Sequence, residues 1–253
     1  VENYNGTSWT EVADIPSARS DSGMIGVYTA GVLAGGGPPV TNEALHWNGS
    51  AWTEATDMPI SVERASGSGV QTAGMVTGGR NPGGSAIATN LEYDGTNWTT
   101  GGTVNLASAQ NFVAGTQSSC RKMGGSGPPT PSSYTNQEEW NDTVWTTDGA
   151  LVTDIAQGGG AGTASAAVIA GGYTSTNLLT TQEVTKTIGT LTAAAWASGG
   201  SMTLARYNTG GFGIQSDAVV AGNDGTYVTT TEEYDGSSWS SGGALGTGRG
   251  ASA

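Results

Sequence analysis

Charge is scarce in this chain of 253 residues, and positive charge is scarcer still: eight Lys and Arg stand against 21 Asp and Glu, for a formal net charge of −13 at pH 7. Nucleic-acid binding rests on neutralising phosphates with Lys and Arg, so this balance excludes nucleic acid as a partner. It disfavours an anionic membrane surface for the same reason. No stretch of about 18 consecutive apolar residues occurs, so membrane insertion is not expected. A single cysteine, Cys120, excludes an intrachain disulfide, and a single histidine, His46, excludes any metal site built on paired histidines. No charged and apolar leader pattern follows Val1, so no signal peptide is visible here. No window carries a long 3.6-residue apolar period either, which removes helices from the expected fold.

What the chain does have is glycine, 43 residues of it, together with eight Trp and eight Tyr placed at regular intervals. Regular aromatics argue against disorder, because they supply surface to bury. One motif reads aromatic, Asn or Asp, Gly, two small residues, Trp. It runs Tyr4-Asn5-Gly6-Thr7-Ser8-Trp9, Trp47-Asn48-Gly49-Ser50-Ala51-Trp52, Tyr93-Asp94-Gly95-Thr96-Asn97-Trp98 and Tyr234-Asp235-Gly236-Ser237-Ser238-Trp239. Trp140-Asn141-Asp142-Thr143-Val144-Trp145 loses only the Gly, and a degenerate copy has Glu183-Val184 with Trp196 further on. The closing tryptophans 9, 52, 98, 145, 196 and 239 lie 43, 46, 47, 51 and 43 residues apart.

Two further signatures share this period. Arg19, Arg206 and Arg249 each follow a closing Trp by ten residues, Ser108 stands there after Trp98, and Arg64 follows Trp52 by twelve. Short apolar runs end in a Gly pair at Gly35-Gly36, Gly78-Gly79, Gly124-Gly125 and Gly171-Gly172, with Gly222-Asn223 a weaker copy. Nine residues before each first Gly stands another: Gly26, Gly69, Gly115, Gly162 and Gly213. Runs of this length, bounded by Gly, Pro, Asn and Ser, are strands. Each unit therefore predicts four. Strand a runs from after the Arg to the single Gly, strand b enters the Gly pair, strand c ends on the aromatic and strand d carries the Trp. Asn-Gly and Asp-Gly between c and d predict tight hairpins with positive φ at both central residues.

Four short strands in a repeat of this length is the propeller pattern. The order Gly-Gly, Tyr, Trp, Arg resembles the kelch repeat over the whole chain, whereas the WD40 dipeptides are absent and the sialidase Asp-box spaces its Asp and Gly differently. The resemblance implies an all-β, kelch-like β-propeller of six blades with four antiparallel strands each, forming one domain over residues 1–253. The Glu-Tyr-Asp-Gly-Ser-Ser-Trp wording at 233–239 also resembles repeats in tail and virion proteins of marine bacteriophages. The chain opens with strands c and d and stops shortly after Arg249, so the last blade is expected to be shared by the two termini. It then either has three strands or belongs to a longer protein of which this is an excerpt.

The catalytic inventory is thin, and no catalytic residue, metal site or cofactor is expected. Kelch-like galactose oxidases use paired histidines and a Cys-linked Tyr at copper, which one His and one Cys cannot reproduce. His46 is expected to be an ordinary strand residue and Cys120 a small buried filler. Glu92, Glu138-Glu139, Glu183 and Glu232-Glu233 recur at one place in the repeat, so a structural role is expected, pairing with an Arg or capping a turn. Arg19, Arg64, Arg206 and Arg249 are taken as scaffold for the same reason. Asn5, Asn48 and Asn141 begin Asn-x-Ser/Thr triplets that turn chemistry explains without glycosylation.

Between repeats, the b–c loops vary most. Alternating strands put the b–c and d–a loops on one face and the uniform a–b and c–d turns on the other. Loops on a rigid scaffold are where binding residues sit, with Tyr and Arg as anchors. The candidate ligand residues are Arg80, Tyr134, Tyr173, Asn223, Asp224 and Tyr227. The expected function is a non-enzymatic interaction or adhesion module, extracellular or on a virion as part of a larger assembly, binding a glycan or protein on a cell surface. The alternative is a propeller glycoside hydrolase or polysaccharide lyase.

Overall fold

The computed structural model describes residues 1–253 apart from 128–131, 187–194, 224–226 and 251–253. The chain opens on a hairpin of β1 (Glu2–Tyr4) and β2 (Trp9–Glu11). Blade 1 follows with β3 (Gly23–Val27), β4 (Ala30–Ala34), β5 (Ala44–Trp47) and β6 (Trp52–Glu54). Blade 2 holds β7 (Ser66–Val70), β8 (Ala73–Thr77), β9 (Asn90–Tyr93) and β10 (Trp98–Thr100). Blade 3 holds β11 (Phe112–Gly115), β12 (Cys120–Met123), the short β13 (Ser126–Gly127), β14 (Ser132–Trp140) and β15 (Trp145–Ile155). Blade 4 holds β16 (Gly159–Gly162), β17 (Ala166–Ala170), β18 (Thr181–Thr185) and β19 (Ala195–Ser198). Blade 5 holds β20 (Gly210–Ile214), β21 (Asp217–Ala221), β22 (Thr231–Tyr234) and β23 (Trp239–Ser241). Every pairing is antiparallel between strands that follow one another in the chain, apart from β12, which pairs with β14 past the short β13.

The inner strands β3, β7, β11, β16 and β20 succeed one another around an axis. Glycine lets them approach. A Cβ on Gly67 would stand 2.1 Å from the Met24 carbonyl oxygen, and one on Gly211 would stand 2.8 Å from the Gly160 nitrogen.

Among the described residues the expected count of six blades is corrected to five. The hairpin β1–β2 occupies the sixth position as a two-stranded sheet and is not a blade. It is nevertheless in repeat register, because Tyr4 pairs with Trp9 as Tyr234 pairs with Trp239. It docks between blades 5 and 1. The Tyr4 hydroxyl donates to Glu233, the Arg249 Nε donates to Glu2 at 2.9 Å, and the Trp52 indole donates to the Ala13 carbonyl at 3.1 Å. The first and last blade positions thus meet, as a shared closing element requires, but through side chains and a hairpin.

The c–d turns also differ from expectation. They are four-residue loops, not two-residue hairpin turns, so a single positive φ suffices. Gly6, Gly49, Gly95 and Gly236 supply it, and where the Gly is lost Asp142 takes φ 73°. The preceding Asn or Asp caps the loop: Asp235 Oδ1 accepts from the amides of Ser237 and Ser238 at 2.9 and 2.8 Å, and Asn48 does the same for Ser50 and Ala51. Because the Ser238 and Ser237 donors favour the charged form, the Asp235 carboxyl falls from an ordinary value of 3.8 to about 2. A lowered folded value contributes stability that is present above the unfolded value and is lost as pH falls through the folded one. Asp235→Asn is therefore expected to leave the melting temperature at pH 7 nearly unchanged, as Asn48 fills the same role. It should also flatten the loss of stability between pH 3.8 and about 2, read by acid titration of the melting temperature.

Aromatic pairs stack the outer strands. Ring centroids lie 4.6 Å apart for Tyr93 and Trp98, 4.9 Å for Tyr234 and Trp239, and 5.5 Å for Trp140 and Trp145. The strand-d tryptophans stand between blades as expected: the Trp98 indole reaches the Thr56 carbonyl behind blade 1 at 2.9 Å. The side chain of Trp196 lies outside the described residues. Strand c adds a second inter-blade contact. Tyr234 donates to Glu183, and the Tyr93 hydroxyl lies 2.7 Å from His46 Nε2. Burial and the Glu183 contact push the Tyr234 phenol up to about 12.

Candidate functional site

Five residues with positive φ open the five inner strands: Asp21 (58°), Arg64 (56°), Gln110 (55°), Gln157 (62°) and Asn208 (50°). Each stands two residues before its strand. The left-handed conformation turns the chain into the axis, and one backbone bond then links each blade to the next. Arg64 N donates to Asp21 O at 2.7 Å, Gln110 N to Arg64 O at 2.8 Å, Gln157 N to Gln110 O at 3.2 Å and Asn208 N to Gln157 O at 2.6 Å. A second belt lies just outside it, where Gly36, Gly79, Gly125 and Gly172 donate to Val62, Ser108, Ile155 and Arg206. Glycine is required there: a Cβ on Gly35 would stand 2.3 Å from the Val62 carbonyl oxygen.

The five residues rim an axial cavity of about 200 Å³ whose wall includes Met24, Phe112, Val113, Gly159, Gly160, Gly210 and Gly211. Among the described residues its charges are a single pair. Arg64 Nε donates to Asp21 Oδ2 at 3.0 Å, with both side chains partly exposed. Such a pair is worth about 0–1 kcal/mol, so it positions groups more than it stabilises the fold. Gln110 Oε1 accepts from Ser126 Oγ at 2.9 Å. Among the described residues no group of three or more His, Cys, Asp or Glu is placed to hold a metal ion.

Of the candidate ligand residues, two border this rim. Arg80 exchanges both backbone hydrogen bonds with Glu63, the residue before Arg64. Tyr173 pairs likewise with Ala156, the residue before Gln157, and its ring lies 5.8 Å from that of Tyr207. Tyr134 is half-buried, with its hydroxyl close over Gly127. Asn223 is buried and holds the scaffold: its amide donates to Arg249 O and its Oδ1 accepts from Tyr207 N. Tyr227 is exposed at φ 40°, and Asp224 lies outside the described residues.

Arg64 corrects the expectation that it belongs to the scaffold. The scaffold arginine stands four residues before strand a, as Arg19 and Arg206 do, and in blade 2 that place is held by Val62. Arg64 is two residues late, which moves it from the blade interior to the channel. The other rim residues were missed by sequence reasoning. A signal existed: Asp21, Arg64, Gln110, Gln157 and Asn208 each stand fourteen residues before the first Gly of the next pair.

The remaining recurrent residues are structural. Arg206 and Glu232 form a buried ion pair at 3.1 Å. Lys122 and Glu138, both fully buried, form another at 3.4 Å, and burial pushes the Lys122 amine down. His46 is half-buried and burial lowers its pKa. Cys120 is buried, which pushes its thiol up and removes its reactivity.

Antiparallel blades around an axial cavity define a β-propeller. The fold is shared with the solved structure of YjhT, to which the chain is similar with a TM-score of 0.77 and 11% identity, over 95% of this chain and 88% of that one. No protein-family model matches the sequence, and no curated protein matches it.

Proposed function

We propose that this chain is a non-enzymatic interaction module, a kelch-type propeller displayed outside the cell or on a virion, which binds a glycan or protein through its b–c loop face. The observation that carries this reading is the rim. Its backbone repeats in every blade, while its side chains change from Asp to Arg, Gln, Gln and Asn. A scaffold role would favour one residue type at equivalent positions; a ligand of irregular shape favours different ones. Tyr173 and Tyr207 stand beside Gln157 and Asn208, so aromatic faces adjoin amide donors and acceptors. Sugars use that combination, ring C–H against aromatic face and hydroxyl against amide. Among the described residues the cavity wall contains one carboxylate, Asp21, held by Arg64, whereas glycoside hydrolysis uses two. A strongly acidic chain favours neutral or basic partners over sulfated ones.

Glycan-array binding, run beside a reducing-sugar release assay, tests this. The chain is expected to bind without turnover. Arg64→Asn combined with Tyr173→Ala is expected to weaken binding at least about tenfold, the loss of one anchor being worth more than about 1.4 kcal/mol. The melting temperature should move little, since Asn tolerates positive φ. Binding that survives in this variant and disappears on changing Asn48 and Asp94 would place the site on the opposite face.

A further inference from the structure

Just outside the rim, blades 1 to 4 each close on two residues that exchange both backbone hydrogen bonds: Ser20 with Gly37, Glu63 with Arg80, Ala109 with Ser126 and Ala156 with Tyr173. Of these pairs only that of blade 2 is charged. Residues opposite one another in such a pair present their side chains on one face, where unlike charges attract. Glu63 and Arg80 nevertheless stay apart. Among the described residues neither side chain forms an ion pair or a hydrogen bond. Of the eight Lys and Arg, Arg80 alone is left there without a carboxylate partner. In a chain with 21 Asp and Glu, that is not for want of carboxylates.

The Glu63 carboxylate reaches towards blade 1, over Gly37, where a Cβ would stand 3.0 Å from its Oε2. Asp21 belongs to blade 1 as well, so these two carboxylates lie together on that side, and the two guanidiniums, Arg64 and Arg80, stem from blade 2. Arg64 meets Asp21 through Nε alone, and its terminal nitrogens form no hydrogen bond among the described residues. Glu63 and Arg80 are both half-buried. Across the axis stand blades 4 and 5, where the rings of Tyr173 and Tyr207 lie 5.8 Å apart.

We propose that the mouth of the channel takes a zwitterionic sugar, whose ammonium meets Glu63 and Asp21 and whose carboxylate meets Arg80 and the terminal nitrogens of Arg64. The sugar ring lies against Tyr173 and Tyr207, where its C–H groups meet an aromatic face. This inference rests on the loop-face reading and narrows it. A guanidinium end receives a carboxylate through two parallel, charge-assisted bonds, which fixes orientation as well as adding affinity. With these four charges, an anion alone would face Glu63 and Asp21, and a cation alone would face Arg64 and Arg80. A ligand carrying both signs meets no such repulsion, which is discrimination by unfavourable pairing against the others. A neutral sugar would cover Glu63 and Arg80 without replacing the water on their charges. The net charge of −13 acts the same way at longer range, because it repels free anions and leaves a ligand of zero net charge unaffected.

The test titrates four sugars into the full chain by calorimetry at about pH 6, where an amine is protonated and a carboxylate ionised. Muramic acid carries both charges on one ring, N-acetylmuramic acid only the carboxylate, glucosamine only the ammonium and N-acetylglucosamine neither. Muramic acid is expected to bind about tenfold or more tighter than each of the others, a gap that one charge-assisted contact supplies. Arg80→Gln should bring it down to the level of glucosamine, and Glu63→Gln to that of N-acetylmuramic acid. Neither variant should move the melting temperature, since neither side chain has a partner to lose. Should one do so, the order of the four sugars on the unaltered chain decides by itself. Binding of N-acetylglucosamine as tight as that of muramic acid, and weakened by Tyr173→Ala, would overturn the charge assignment and leave the loop-face reading standing. Binding that Tyr173→Ala leaves unchanged would overturn both. No binding of muramic acid, or a preference for it that persists in both charge variants, would also overturn the inference.

Discussion

Arg206→Met is expected to destabilise the protein by about 3–5 kcal/mol, because it leaves the Glu232 carboxylate buried without its cation. Both side chains are almost fully buried. The Glu232 oxygens also accept from Thr203 N, Thr203 Oγ1 and Leu204 N, and the guanidinium also donates to Gly222 O and Thr230 O. Removing one partner therefore strands several polar groups, whereas removing both need not. Blade 2 already has the apolar solution, with buried Val62 and Leu91 at the equivalent positions. Arg206→Met with Glu232→Leu is expected to regain much of the lost stability. Denaturant midpoints of the two single variants and the double give the coupling directly. Single variants within about 1 kcal/mol of the parent would mean that the pair is solvated and that blade 5 is not held by it.

Trp145→Ala is expected to cost a similar amount, about 3–5 kcal/mol, through lost burial and the cavity left behind. Trp145 is almost wholly buried, stacks on Trp140 and shares a cluster with Met75, Val104, Val113 and Cys120 from blades 2 and 3. For a chain of this size that corresponds to a fall in melting temperature on the order of 10 °C. Trp98→Ala should cost less, because Trp98 is only half-buried at the outer surface and part of its area stays in water. Equal losses at the two sites, measured by calorimetry, would show that the outer tryptophans act through something other than burial.

Much of the fold was legible in local sequence. The period of the tryptophans set the length of the repeat, and the glycines marked strand ends where a Cβ would meet backbone. The structural role of the carboxylates was also legible, since Glu138 and Glu232 recur at one place and each meets a buried cation. The turn type was misjudged at Asn5-Gly6 and its copies. A dipeptide does not reveal how many residues separate the paired strands, and here the Asn side chain bonds forward to two amides and permits a longer loop. The rim was overlooked because its five residues share a backbone conformation and not a side-chain type.

The sequence by itself determined the strands, their order within a blade and the face on which the variable loops emerge, because these follow from alternation and spacing along one chain. Only the tertiary structure decided the number of blades and the place of the site. A hairpin such as β1–β2 carries the full c–d motif whether or not inner strands stand in front of it. Arg64 and Arg206 are the same residue type at nearly the same offset, yet a two-residue shift puts one on the channel rim and the other inside a blade. Blade packing sets both outcomes, through contacts between residues some 40 or more positions apart such as Arg64 with Asp21.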